Sequence, residues 1–165
     1  MTSELARLAE RIRLEMNELE MIVDRAVTGV IRAKQYQDDI YLDGVALNLH
    51  AFYTGIERLF EKIAANVDGQ LPQGANWHKV LLIQMGREVP GLRPAVISDE
   101  IHVFLDEYRG FRHVVRNIYT YKFDPLRIDT LVRNAKQLFE QLKREMLAFA
   151  DFLDFLANQT PSRSR

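Results

Sequence analysis

Between Tyr108 and Lys122 the chain sets out Arg109, Arg112, Arg116 and Lys122 with no carboxylate among them, interleaved with Tyr108, Phe111, Tyr119 and Tyr121. Guanidinium groups grip phosphate oxygens in pairs, and aromatic rings offer faces to bases. The mixture therefore suits a phosphate chain that carries bases, as RNA does. His113 lies in the same window and is the group there that exchanges a proton near neutrality. On an ideal helix Tyr108, Arg116 and Tyr119 fall within about 40° of Arg112, whereas Phe104, Phe111, Val114, Val115 and Ile118 form a core stripe. A run of charge is most often a solvated face, and the run alone leaves that reading open beside RNA binding.

Other candidates are fewer. The histidines are His50, His78, His102 and His113, and no HExxH or i,i+4 pair sets two imidazoles on one helical face, so no metal site is expected. His50 precedes Glu57 by one helical repeat, and the pair reads as a part-buried imidazole satisfied by a neighbouring carboxylate. No GxxxxGK[ST], GxGxxG or GxSxG occurs, so neither a nucleotide-cradling loop nor a serine elbow is supported, and no cofactor is expected. Cysteine is absent, which removes disulfides, thiol nucleophiles and thiolate zinc sites and fits a reducing compartment.

The elements that must carry these groups are helical. From Ser3 to about Arg32, Leu5, Leu8, Ile12, Met16, Leu19, Ile22 or Val23, Ala26 and Val30 recur at the 3/4 spacing of a single stripe. A second pattern from about Ile40 to Val67 runs through Leu42, Val45, Leu49, Phe52, Ile56, Leu59 and Ile63, antiparallel to the first across a short connection. Between Gly69 and Val96 glycine and proline gather into a loop region that holds a short helix, roughly Trp77 to Met85. Ser98, followed by Asp99 and Glu100, caps a third long helix expected to run to about Tyr119. Asp124 with Pro125 starts the last, which carries Ile128, Leu131, Ala135, Leu138, Leu142, Met146, Phe149, Leu153 and Leu156.

The expectation is an all-α antiparallel bundle of four long helices plus one short one, a single domain over residues 1–159, with a disordered tail over 160–165. At 165 residues with 47% hydrophobic and 27% charged positions, the chain has an ordinary globular composition. Its 22 basic and 23 acidic residues leave a net charge of -1, so any anion binding must be local rather than driven by a global field. Neither a signal-peptide core nor a run of apolar residues long enough to span a bilayer is present, and the cytoplasm is the expected compartment.

The window from Arg112 to Tyr119 resembles the ribonuclease motif of the HepT-like branch of HEPN proteins, bacterial toxins typically encoded beside a minimal nucleotidyltransferase antitoxin. That motif is Arg, a polar residue, a short spacer, then His, with Tyr two positions later. Here Arg112, His113 and Tyr119 match, and Asn117 stands where the His is expected. Further likeness lies in Tyr41 to Tyr53, Ile56 with Glu57, Trp77 with His78, and Phe123-Asp124-Pro125, so the resemblance covers about residues 35–150.

The resemblance implies a HEPN-like homodimer whose two motifs face one cleft and cut RNA without metal, by attack of a ribose 2′-hydroxyl on the adjacent phosphate. Arg112 would then stabilise the charge that builds on phosphorus. Arg109, Arg116 and Lys122 would bind the RNA, and Tyr119 would receive AMP from the antitoxin, which switches the toxin off. Asn117 cannot exchange a proton near neutrality, so proton transfer would pass to His113, with Asn117 orienting substrate. The alternative is a HEPN-like binding or interaction module that has lost ribonuclease chemistry.

Overall fold

A computed structural model describes residues 2–159, and the tail expected to be disordered, 160–165, lies outside the described residues. Six helices follow in order: α1 (Thr2–Tyr36), α2 (Tyr41–Ile63), α3 (Trp77–Met85), α4 (Asp99–Asn117), α5 (Pro125–Arg133) and α6 (Ala135–Gln159). The all-α expectation holds, with α1, α2, α4 and α6 as the long members.

Side-chain pairs give the directions. Arg13 meets Asp151 and Asp154, Glu20 meets Lys143, and Asp24 meets Lys136, so α1 and α6 run antiparallel. A methyl group added at Gly29 would sit 2.5 Å from Val45, and one at Gly55 would sit 2.7 Å from Leu19. These two close approaches let α1 and α2 pack antiparallel with little between their backbones. Glu145 accepts from the Ser98 N–H at 2.9 Å, and the Tyr108 hydroxyl donates to the Leu131 carbonyl at 2.6 Å, which sets α4 against α5 and α6 in opposite sense.

The expected stripes are mostly buried, with Leu5, Leu138 and Leu156 half-buried. Leu8, Ile12, Met16, Leu19, Val23, Ala26 and Val30 from α1 join Leu42, Val45, Leu49, Phe52, Ile56, Leu59 and Ile63 from α2 and Leu142, Met146, Phe149 and Leu153 from α6 in one cluster. Both start signals also operate. The Ser98 hydroxyl accepts from the Ile101 N–H, and Asp124 accepts from the Leu126 N–H at 3.0 Å with Pro125 in the first turn.

Three boundaries differ from expectation. The second helix is α-helical only to Ile63 and finishes in a π-helical turn, Ala64–Asp68, ended by Gly69 in the left-handed region. The third stops at Asn117, with Ile118 extended at φ −129 and ψ 158, so Tyr119 is outside it. Asn117, Ile118, Tyr119 and Thr120 in succession are weak helix formers, and the Asn117 amide turns back to donate to the His113 carbonyl at 2.6 Å. The last pattern is two helices, broken at Asn134. There the Leu131 carbonyl, which an unbroken helix would offer to residue 135, accepts the Tyr108 hydroxyl.

The core face of α4 also needs correction. It is Ile101, Phe104, Leu105, Tyr108 and Phe111, whereas Val114 and Val115 are half-buried and Ile118 is exposed. Tyr108 is only 2% exposed and packs edge-on against Phe52 and Phe104, so it is a core ring and offers no face to a base.

Candidate functional site

Continuing the buried stripe of α4 by one step reaches Arg112, a cation in a position that would otherwise be apolar. Its counterpart on α2 is Glu57, which continues the buried run Phe52, Tyr53, Ile56 and is itself only 4% exposed. A buried carboxylate needs compensation. Glu57 finds it in His78 of α3, whose Nδ1 lies 2.6 Å from Oε2, and more distantly in Arg112, whose Nη1 is 3.9 Å from Oε1. Glu57 therefore pairs with His78 and not, as expected from the helical repeat, with His50. His50 is instead half-buried, and desolvation together with the positive charges of Arg112 and Arg116 holds its pKa below the usual value.

Arg112 is held loosely for a half-buried cation. Its Nε is buried and has no hydrogen-bond partner among the described residues, and its contact with Glu57 is long. Beside it lies Tyr53, fully buried. Its hydroxyl is kept protonated by burial first and by the negative charge of Glu57 second.

Above this layer, a cleft of about 470 Å³ opens between the start of α3 and the end of α4, lined by Ala75, Asn76, His78, Lys79, Arg109, Arg112, His113, Arg116 and Asn117. Four cations and two imidazoles thus face one space, and the buried carboxylate of Glu57 lies behind them. Arg109 is partly committed, because its Nε donates to Asp106 at 2.8 Å. Asn117 is committed too: its amide bonds the His113 carbonyl and stands 3.4 Å from His113 Nδ1.

Of the residues singled out in the sequence, Arg109, Arg112, His113, Arg116 and Asn117 come together here, and Lys122 and Tyr119 are not among those lining the cleft. Lys122 lies against the Tyr121 ring, 5.7 Å from its centroid. Tyr119 is 73% exposed and stacked on Tyr121 at 6.1 Å, past the end of α4 rather than on the Arg112 face. His78 and Lys79 join the site from α3 and Glu57 from α2, across separations that no local spacing reveals. The one local sign was Trp77, whose indole stacks on the His78 ring with centroids 3.6 Å apart.

The family model described as HepT-like protein matches residues 44–153, which takes in most of α2, all of α3, α4 and α5 and most of α6, and with them every residue of the cleft. The chain belongs to the HepT-like family. It is accordingly a HEPN-type, toxin-related helical domain. No curated protein and no solved structure matches it. Among the described residues, no helix of this HepT-like chain is long and apolar enough to cross a membrane.

Proposed function

We propose that this HepT-like protein is the toxin of a HEPN/nucleotidyltransferase toxin–antitoxin pair, a weak, metal-independent endoribonuclease that acts in the cytoplasm. The observation that carries the reading is the cleft between α3 and α4, where Lys79, Arg109, Arg112 and Arg116 surround two imidazoles and no carboxylate is among the lining residues, although Arg109 is shared with Asp106. Such a space favours a phosphodiester, and a bidentate guanidinium at Arg112 can stabilise the charge that develops on phosphorus. His113, exposed on the last turn of α4, serves proton transfer in place of the motif histidine. Asn117 holds the end of the helix and thereby the His113 backbone. Two copies form the working unit, each contributing one motif to a shared cleft, and sedimentation at micromolar concentration should show a dimer of the 19.2 kDa chain.

The test is RNA cleavage in the presence of a chelator. Wild type should cut and His113→Ala should be slowed by about 100-fold. Undiminished cleavage by His113→Ala would remove that residue from the mechanism. No cleavage by wild type would favour the other reading, a non-catalytic binding module, which draws support from the Asn117 amide being spent on the helix end. RNA affinity should fall as salt rises, and Arg116→Ala should flatten that slope, because each neutralised phosphate releases counterions. An unchanged slope would return Arg116 to the solvated surface.

Regulation would act through Tyr119. Exposed and beyond the helix end, its hydroxyl is open to a nucleotidyltransferase, and an attached AMP would add phosphate charge close to the basic cleft. Mass spectrometry after co-expression with an adjacent nucleotidyltransferase should show AMP on Tyr119 and none on Tyr119→Phe. Modification confined to the neighbouring Tyr121 would refute the assignment.

A further inference from the structure

We infer that His78 is the proton acceptor of this site, held for that task by the buried carboxylate of Glu57. The inference rests on the ribonuclease reading above and adds to it a group from outside the motif. Three observations converge. Glu57 is buried and, from 2.6 Å, accepts from His78 Nδ1. A carboxylate in that place keeps the proton on Nδ1 and leaves the Nε2 lone pair as the basic end of the ring. Trp77 covers one ring face, so the imidazole is fixed from its edge and its side. His78 itself lines the cleft together with Arg112, His113 and Arg116.

The arrangement of a base oriented by a buried acid, with a cation beside it, meets the needs of an attacking hydroxyl. Nε2 of His78 takes the proton of the ribose 2′-hydroxyl while the bond from the 2′-oxygen to phosphorus forms. The bond from phosphorus to the 5′-oxygen breaks, and that oxygen takes a proton from the His113 imidazolium. The products are a 2′,3′-cyclic phosphate and a 5′-hydroxyl, and the two imidazoles return to their starting states by proton exchange with water. Asn117 in the motif position then leaves the site a proton acceptor and a proton donor, because its two proton-transfer groups stand elsewhere.

The test uses His78→Gln, whose amide can still donate to Glu57 and so keeps the carboxylate partnered, and His78→Gly with added imidazole. His78→Gln should lose about 100-fold in kcat with KM unchanged and a wild-type melting curve, and imidazole should restore cleavage by His78→Gly. A purely structural histidine would show neither the isolated kcat effect nor the rescue. Nitrogen-15 spectra of the neutral histidines should place the His78 proton on Nδ1 in wild type. A proton on Nε2 would overturn the inference whether or not RNA is cut. Wild-type cleavage by His78→Gln would overturn it and leave the ribonuclease reading standing, whereas an inactive wild type would overturn both.

Discussion

Arg112→Ala is expected to reduce RNA cleavage by about 10²–10³-fold, the usual loss when a preorganised donor is taken from a developing oxyanion. Arg112 sits at the rim of the core with a buried, unpartnered Nε and a single distant carboxylate, so its guanidinium is only weakly engaged by Glu57. A phosphate entering the cleft would meet the exposed part of the guanidinium. Unspent donors of this kind are costly in a folded chain, and they persist where a ligand completes them. Arg112→Lys separates the two contributions of the side chain. It keeps the positive charge and loses the planar fork, and should therefore bind RNA with nearly the wild-type salt slope while cleaving slowly. Single-turnover rates and salt titrations on the two variants check this. Wild-type kcat in Arg112→Ala would show that the cation is structural, a counter-charge to Glu57 and nothing more.

The placement of Arg112 also explains which parts of the site were legible in the residues. Long amphipathic stripes declare themselves because each turn of helix repeats the same demand for an apolar contact, and α1, α2 and α6 bury most of the residues their periodicity nominates, with Leu5, Leu138 and Leu156 half-buried. Local cap chemistry at Ser98 and Asp124 is equally readable, since the donor and acceptor lie within one turn. In α4 the reading of faces failed. Taking Arg112 as solvent-facing placed Tyr108 outside with it, whereas Ile101, Phe104, Leu105, Tyr108, Phe111 and Arg112 form one continuous inward stripe. A charge at such a spacing is legible only when its buried counter-charge is known, and Glu57 comes from another helix. The ends of α4 and α5 were misplaced for a related reason: side chains intercept the backbone there, Asn117 on its own helix and Tyr108 from a neighbour.

The same dependence on distant partners makes Arg93 the most consequential residue outside the cleft. Its side chain is fully buried, in a loop region where glycine and proline had suggested only connection. Nη2 donates to Asp68 Oδ2 at 2.7 Å, Nη1 to the carbonyls of Arg87 and Pro94 at 2.9 Å each, and Nη2 again to the Gln84 carbonyl at 3.2 Å. Gln84 in turn donates to Asp68 at 2.7 Å. One guanidinium thus ties the π-helical turn after α2, the end of α3 and the strap leading to α4. Removing one partner of a buried pair strands the other charge and typically costs about 3–5 kcal/mol. For a chain of this size, Arg93→Ala should then lower the melting temperature by about 10 °C. Replacing Asp68 and Arg93 together by Leu and Met should cost less than the sum of the single changes, because neither charge is left stranded. Since α3 carries His78 and Lys79 into the cleft, Arg93→Ala should also slow cleavage at temperatures well below its melting point. Calorimetry paired with cleavage rates decides it: a melting point near wild type would mean that the loop is held by its apolar contacts at Val96 and Ile97, and that the buried charges add little.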